Sequence, residues 1–337
     1  MWGSLTMNKY GQMGTPLSLL LAIVIGGVVF VFLVGFAYKF IALSGSLSAA
    51  ETVVALSDEF AAFSVAESAE KAIDYGGEFD FVSYEGKIST EGQTKEVSEI
   101  IFSPLELKAD ELYVATKSVE LPYRIGNVFY LSDQNTVYVL VYDDDSEEAV
   151  SELEDSYNSL PRNFPSYTFD IDEVSSNVEG LYELTASYDN VRFVFFTSYS
   201  EVINEIAETF SNYDVLQVSS SEDLYEFGIV EFADGSEHIY LGYPLLVGAI
   251  VSFDASSYSY NLDRVLDRLS SVTTVYYDKS KFVSARLPSC DYSALKSALN
   301  NYRSFVGDTE SYASYVSKIE NVDETNDVLG GDCPEIF

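Results

Sequence analysis

The chain opens with one uninterrupted apolar block. From Leu17 to Tyr38 no residue is charged, and the 22 positions read LSLLLAIVIGGVVFVFLVGFAY. At 1.5 Å per residue a helix of that length covers about 30 Å, the thickness of a bilayer's hydrocarbon core. The block predicts a transmembrane helix over 17–38, behind a polar leader over 1–16. Beyond it the block gives way to a stripe. Val53, Leu56, Phe60 and Phe63 recur at spacings of three and four, with Ala at many of the other places. That spacing predicts an amphipathic helical stalk over 39–77, stopped by Gly76-Gly77. The stripe must be covered by the body or by another subunit, and these four residues are the candidate assembly stripe.

From Glu78 the period changes. Short runs rich in β-branched and aromatic residues, Phe79 to Val82, Glu99 to Phe102 and Glu111 to Val114, predict a β-rich segment over 78–131. An α/β body follows over 132–319. Its apolar strands Val137 to Tyr142 and Val191 to Phe196 are of the kind buried on both faces. Helices are expected over Ser146 to Leu160, Ser200 to Asn212, Tyr260 to Leu269 and Tyr292 to Phe305, and further strands over Tyr167 to Ile171, Val215 to Val218 and Thr273 to Tyr277. Asp234-Gly235 marks a hairpin between Gly228–Phe232 and His238–Leu241. Leu245 to Phe253 is apolar and fits helix or strand. The acidic tail over 320–337 reads as loop. The expected fold class is α+β or α/β, with the N-terminal helices leading into a mixed sheet.

Charge narrows the partners. The 337 residues hold 54 Asp and Glu against 18 Lys and Arg, a net charge of −36. Such a surface repels nucleic acid, so no nucleic-acid partner is expected. With 47% hydrophobic residues the body has ample material for a core. An evenly acidic, Lys-poor surface also suits a halophilic source. Lys9 and Lys39 flank the apolar block almost symmetrically, so the short leader decides the orientation: leader inside, body extracytoplasmic. The two cysteines, Cys290 and Cys333, are expected to pair in an oxidising compartment. No Asn stands two residues before Ser or Thr, so there is no N-glycosylation acceptor.

Candidate chemistry is sparse. The single histidine, His238, lies beside a hairpin strand. Nucleophile-elbow, zinc-protease and phosphate-loop motifs are all missing from the sequence. No catalytic or cofactor residue is assigned, and the chain is read as a non-enzyme. Asp143, Asp144 and Asp145 stand where a strand's C-terminal end meets a helix, the usual ligand side of an α/β sheet. They are candidate ligands of a divalent cation. Equally, acids there complement the helix dipole and cap its free amides.

Lys9-Tyr10-Gly11-Gln12 before the apolar block resembles the archaeal class III signal peptides of type IV pilin-like proteins. That resemblance implies cleavage between Gly11 and Gln12. The fifth residue after the cut is Pro16, where many such proteins carry an acid. Gly11-Gln12, Gly35-Phe36-Ala37-Tyr38, Ile101-Phe102-Ser103-Pro104, Leu121-Pro122-Tyr123-Arg124 and Gly248-Ala249-Ile250 are similar to an uncharacterised family of single-pass membrane proteins from small-genome (DPANN-type) archaea. The resemblance implies an archaeal cell-surface protein of structural or interaction role, possessing lipid contacts through Leu17–Tyr38 and protein subunits as partners. A pilin-like filament subunit is the first form of that reading. A tethered monomeric binding domain, or an accessory subunit of a membrane complex, is the second. An exported carboxylate- or cation-dependent enzyme is the third.

Overall fold

The computed structural model describes residue 54 and residues 56–337, except 91–92, 156–158, 198–201, 204–205, 207–208, 211–212, 221–224, 307–311 and 332. The leader, the 17–38 block, Gly11, Gln12 and Val53 lie outside the described residues.

Residues 54 and 56–63 are helical and form α1. The helix stops far short of Gly76. The Ser64 N–H still reaches the Phe60 carbonyl at 2.9 Å, but the carbonyls of Phe63 and Ala66 accept from the Asn127 side-chain amide instead. Strand β1, Ser68–Tyr84, then runs straight through Gly76-Gly77. Its register on β5, Glu106–Glu120, shifts between Asp74 and Phe79. The predicted stalk is thus half strand. A long partner strand outcompetes a helix there, and the two glycines sit in the irregular stretch rather than at a helix stop.

The first sheet adds β2 (Lys87–Thr90), β3 (Gln93–Glu96), β4 (Ile100–Phe102) and β6 (Arg124–Asp133), in the order β3-β2-β1-β5-β6-β4. All its pairs are antiparallel except β4 with β6. On its outer face Leu112, Val114, Phe129 and Leu131 receive Leu56 and Phe60 of α1, which are 1% and 0% exposed. The Phe60 ring meets Phe129 edge-on at 5.0 Å.

The second sheet holds β7 (Thr136–Tyr142), β8 (Ser166–Asp170), β9 (Asn190–Phe195), β10 (Tyr213–Ser219), β11 (Phe227–Phe232) and β12 (Glu237–Leu241). Their order is β12-β11-β10-β9-β7-β8. Strands β7 to β10 are mutually parallel, and β11 and β12 add the antiparallel hairpin. Gly235, at φ +79°, turns that hairpin as its Asp-Gly signal predicts. Helix α2 (Glu147–Asp155) links β7 to β8. Helices α3 (Ile171–Ser176) and α4 (Val178–Thr185) link β8 to β9, and residues 202, 203, 206 and 209 belong to α5. Helices α3 to α5 cover Val137, Val139, Phe193 and Phe195 on the outer face of the sheet. Both faces of β7 and β9 are therefore buried, which is why their sequences are almost continuously apolar.

Between the sheets lies α6 (Tyr243–Val251), in which eight residues are buried. The ambiguous apolar run is thus a helix, apolar on every side because it has protein on every side. Helix α7 (Ala255–Arg286) is a single element of 32 residues, where a short helix and a strand were expected. Tyr258, Leu262, Val265, Leu266, Leu269 and Thr273 keep one helical face buried through the β-branched stretch. No Gly or Pro interrupts the chain before Pro288. Helices α8 (Ser293–Phe305) and α9 (Tyr312–Asp327) complete the core. The acidic tail is therefore not loop at its start. Tyr315, Ile319, Val322 and Asn326 are buried at spacings of four, three and four. A 3₁₀ turn, Val328–Gly331, leads to Ile336, which is 1% exposed.

Candidate functional site

The parallel strands define the most informative edge of the molecule. After β7 the chain moves outward to β8, then crosses back to pair β9 on the other side of β7. Strand order reverses there, and open α/β sheets bind ligands beyond the C-terminal ends of the strands at such a reversal. Asp143 follows β7 and Thr197 lies two residues beyond β9, and their side chains hydrogen-bond across the reversal. The Tyr225 hydroxyl donates to the Phe196 carbonyl at 3.2 Å beside them.

Toward β8 the same edge opens into a crevice of about 250 Å³, lined by Asp143, Asp144, Asp145, Asp170, Ile171 and Asp172. Two of the five carboxylates serve local structure. Asp143 Oδ1 accepts from the Ser146 hydroxyl at 2.8 Å, the Ser146 N–H at 3.1 Å and the Asp145 N–H at 3.2 Å. The Ser146 Oγ in turn accepts the Asp143 N–H at 3.0 Å, fixing the chain just before α2. Partial burial pushes the Asp143 carboxyl up, but the bonds from Thr197, Ser146 and Asp145 more than offset it and hold the group below its ordinary value. It is an ionised acceptor and not a proton donor. Asp170 caps α3, accepting the Asp172 N–H at 2.7 Å. Asp144, Asp145 and Asp172 project into solvent. Among the described residues no group of three or more His, Cys, Asp or Glu side chains converges on one point. The crevice is an electrostatic feature: it attracts cationic groups over a surface rather than wrapping one ion.

A larger hollow of about 320 Å³, lined by Phe169, Val174, Asn177, Leu181 and their neighbours, lies over α3 and α4 and includes one charged side chain, Glu173. No family model, curated protein or solved structure matches the chain. Function therefore rests on the chain's own chemistry.

The other expected residues divide clearly. Cys290 and Cys333 are joined in a disulfide. His238 lies on β12, the edge strand, half-buried between the rings of Phe232 and Tyr258 at 5.9 and 6.0 Å. Burial pushes its imidazole down, against the pull of Asp234 and Asp263. Leu56 and Phe60 belong to the body's own core, so in this structure they are not an open assembly surface. Phe63 packs against the same cluster, partly buried.

Sequence reasoning passed over Asp170, Asp172 and Thr197, although the positions just after the strands were the signal for them. It also passed over Arg192 in β9. That side chain is fully buried, pairs with Asp214, and donates to the carbonyls of Ala249 at 3.3 Å and Ser252 at 2.9 Å. Its guanidinium also faces the Phe253 ring at 5.0 Å. Burial pushes it down to about 9, with Tyr138 acting in the opposite direction, so it stays charged at neutral pH. A cation at the C-terminal end of α6 meets the carbonyls that the helix leaves free. Its role is to lock α6 onto the second sheet.

Proposed function

We propose that this chain is a membrane-anchored cell-surface protein of archaeal type, with a structural or interaction role and an extracytoplasmic body. The carrying observation is the burial of Leu56 and Phe60 of α1 against the first sheet. The segment that follows the apolar block is part of the body's core, so body and anchor are one mechanical unit. A rigid mount suits a protein that must present a surface at a fixed height above a membrane. The Cys290–Cys333 disulfide supports an oxidising exterior for the body. The acidic surface supports a salt-adapted source.

Filament assembly through the stripe of Leu56 and Phe60 loses its main support, because those side chains are covered within the chain. Assembly through the 17–38 helix remains part of the reading, as does pilin-type cleavage after Gly11. The tethered binding domain draws support from the acidic crevice at the strand reversal, and a divalent cation bound by Asp143 to Asp145 belongs to that version.

Fractionation of cells expressing the full chain tests the anchor, and N-terminal sequencing of the purified protein tests processing. The expected result is recovery in the membrane fraction, released by detergent and not by carbonate, with the body digested by protease added outside intact cells. A start at Gln12 supports pilin-type processing, and a start at Met1 or Met7 a plain anchor. Recovery of the full chain in the soluble cytoplasmic fraction would sink the reading.

A further inference from the structure

The surface of this protein is acidic almost everywhere, with one exception. The stretch from Lys279 to Arg303 carries five of the chain's 18 basic residues and one of its 54 acids, Asp291. It forms the end of α7 and most of α8. Here α7 leaves the core. Val275 and Phe282, seven residues apart on one helical face, are 65% and 56% exposed. Arg286 lies over the Phe282 ring at 4.0 Å, and Lys281 and Arg303 each lie 4.8 Å from the Tyr277 ring. Exposed aromatic and aliphatic side chains bearing Arg and Lys have the composition of an interface core.

We infer that this basic-aromatic tip docks into the acidic crevice of a second copy of the chain, linking anchored neighbours side by side. Charge complementarity selects the occupant. A net charge of −36 makes a second copy a strongly anionic partner, and five carboxylates around the Asp143–Asp172 crevice are its densest patch. Geometry agrees. Phe60 meets Phe129 and the Phe63 carbonyl meets Asn127, so α1 runs antiparallel to β6. On the other face Asn261 reaches Ile101, which pairs near Phe129, Arg268 reaches Asn127, and Thr273 reaches Tyr123. Helix α7 thus runs in the same direction as α1. Its tip stands at the far end of the body from residue 54, where the chain enters. Strand β7 turns back from β6 through residues 134–135, so Asp143 stands toward that end too. The flanks are opposite: α9 packs on β11 and β12, while the crevice adjoins β8. Copies upright in one membrane therefore present tip to crevice at a common height, a heterologous contact that repeats without closing.

The inference rests on the anchored-surface reading, and a charge exchange separates the two. Full-length chain in detergent at about 0.1 M salt, where charges act over about 10 Å, is examined by sedimentation velocity. The natural chain is expected to self-associate. Lys281→Glu with Arg286→Glu, and separately Asp144→Lys with Asp172→Lys, should each weaken association by about tenfold or more. Mixed together, the two variants should associate again, because the reversed tip of one fits the reversed crevice of the other. Phe282→Ser should weaken association without altering its salt dependence. All these positions are exposed, and an unchanged thermal melt verifies the fold. A monomeric natural chain, variants that associate like it, or a mixture that stays monomeric overturns the inference. Membrane recovery of the same preparations is scored independently, so a monomer that still fractionates with membranes defeats the docking and leaves the anchored reading standing.

Discussion

At residue scale the core is set by a few close approaches. A Cβ on Gly248 would stand 2.9 Å from two carbons of the Phe102 ring, so α6 meets β4 only because that position lacks a side chain. Gly248→Ala should destabilise the fold by about 1–3 kcal/mol, and Phe102→Leu in the same chain should recover part of that loss. Urea denaturation midpoints measure both. Lys117 in β5 gives a pH signature. It is 4% exposed, its Nζ donates to the Ser159 carbonyl, and burial pushes the ammonium down to about 8, with Glu70 pulling the other way. An unfolded chain keeps that proton up to about 10.5. The unfolded state therefore binds more protons in that window, and stability should rise with pH from 8 upward. The rise by about pH 10 is on the order of 2 kcal/mol. Arg192, lowered to about 9, adds the same sign at the upper end, so the difference between the natural chain and Lys117→Met isolates Lys117. An identical slope in both would refute the assignment. Single residues of this kind were half legible in the sequence. Asp143 was marked by its place after a strand, whereas a lone Arg192 inside an apolar strand was legible as an anomaly but not as a clamp, because its carbonyl partners come from α6.

At element scale the legible features were those with local causes. Strands β7 and β9, the Asp-Gly hairpin and α8 follow directly from runs, turns and spacing. The failures share one cause: a distant partner overrides a local signal. Gly76-Gly77 reads as a helix stop until β5 is present to pair with β1 across it. Val272 to Val275 reads as strand until the first sheet and α8 cover one face of α7. The C-terminal tail reads as loop until its ties are counted. The Asn326 side chain accepts the Ile336 N–H at 2.8 Å, the Tyr292 hydroxyl donates to the Pro334 carbonyl at 2.8 Å, and Lys279 donates to the Ile336 carbonyl. The disulfide closes a 43-residue span over these bonds. By chain entropy, Cys290→Ser with Cys333→Ser should cost about 4 kcal/mol. Because the tail also holds α9 against β11 and β12, its loss should appear first as faster amide exchange over 312–337, ahead of global unfolding. Uniform exchange across the body would show the tail is no separate unit.

At the scale of the whole molecule, one number acts in two opposing ways. A net charge of −36 strains the compact state through self-repulsion. Salt relieves that strain, since the screening length falls from about 30 Å at 0.01 M to about 3 Å at 1 M. The thermal midpoint of the full chain should therefore climb across that range, most steeply at the low end. A contact between a positive tip and a negative crevice should respond in reverse, weakening over the same range until only Val275 and Phe282 hold it. Opposite salt slopes for folding and for association, measured on one preparation by thermal melting and sedimentation, are the expected pattern. A flat midpoint would remove the salt-adapted reading of the acidic surface. Association that strengthened with salt would show the contact to be apolar at its root, and the five carboxylates of the crevice would then have to be explained by the caps on α2 and α3 alone.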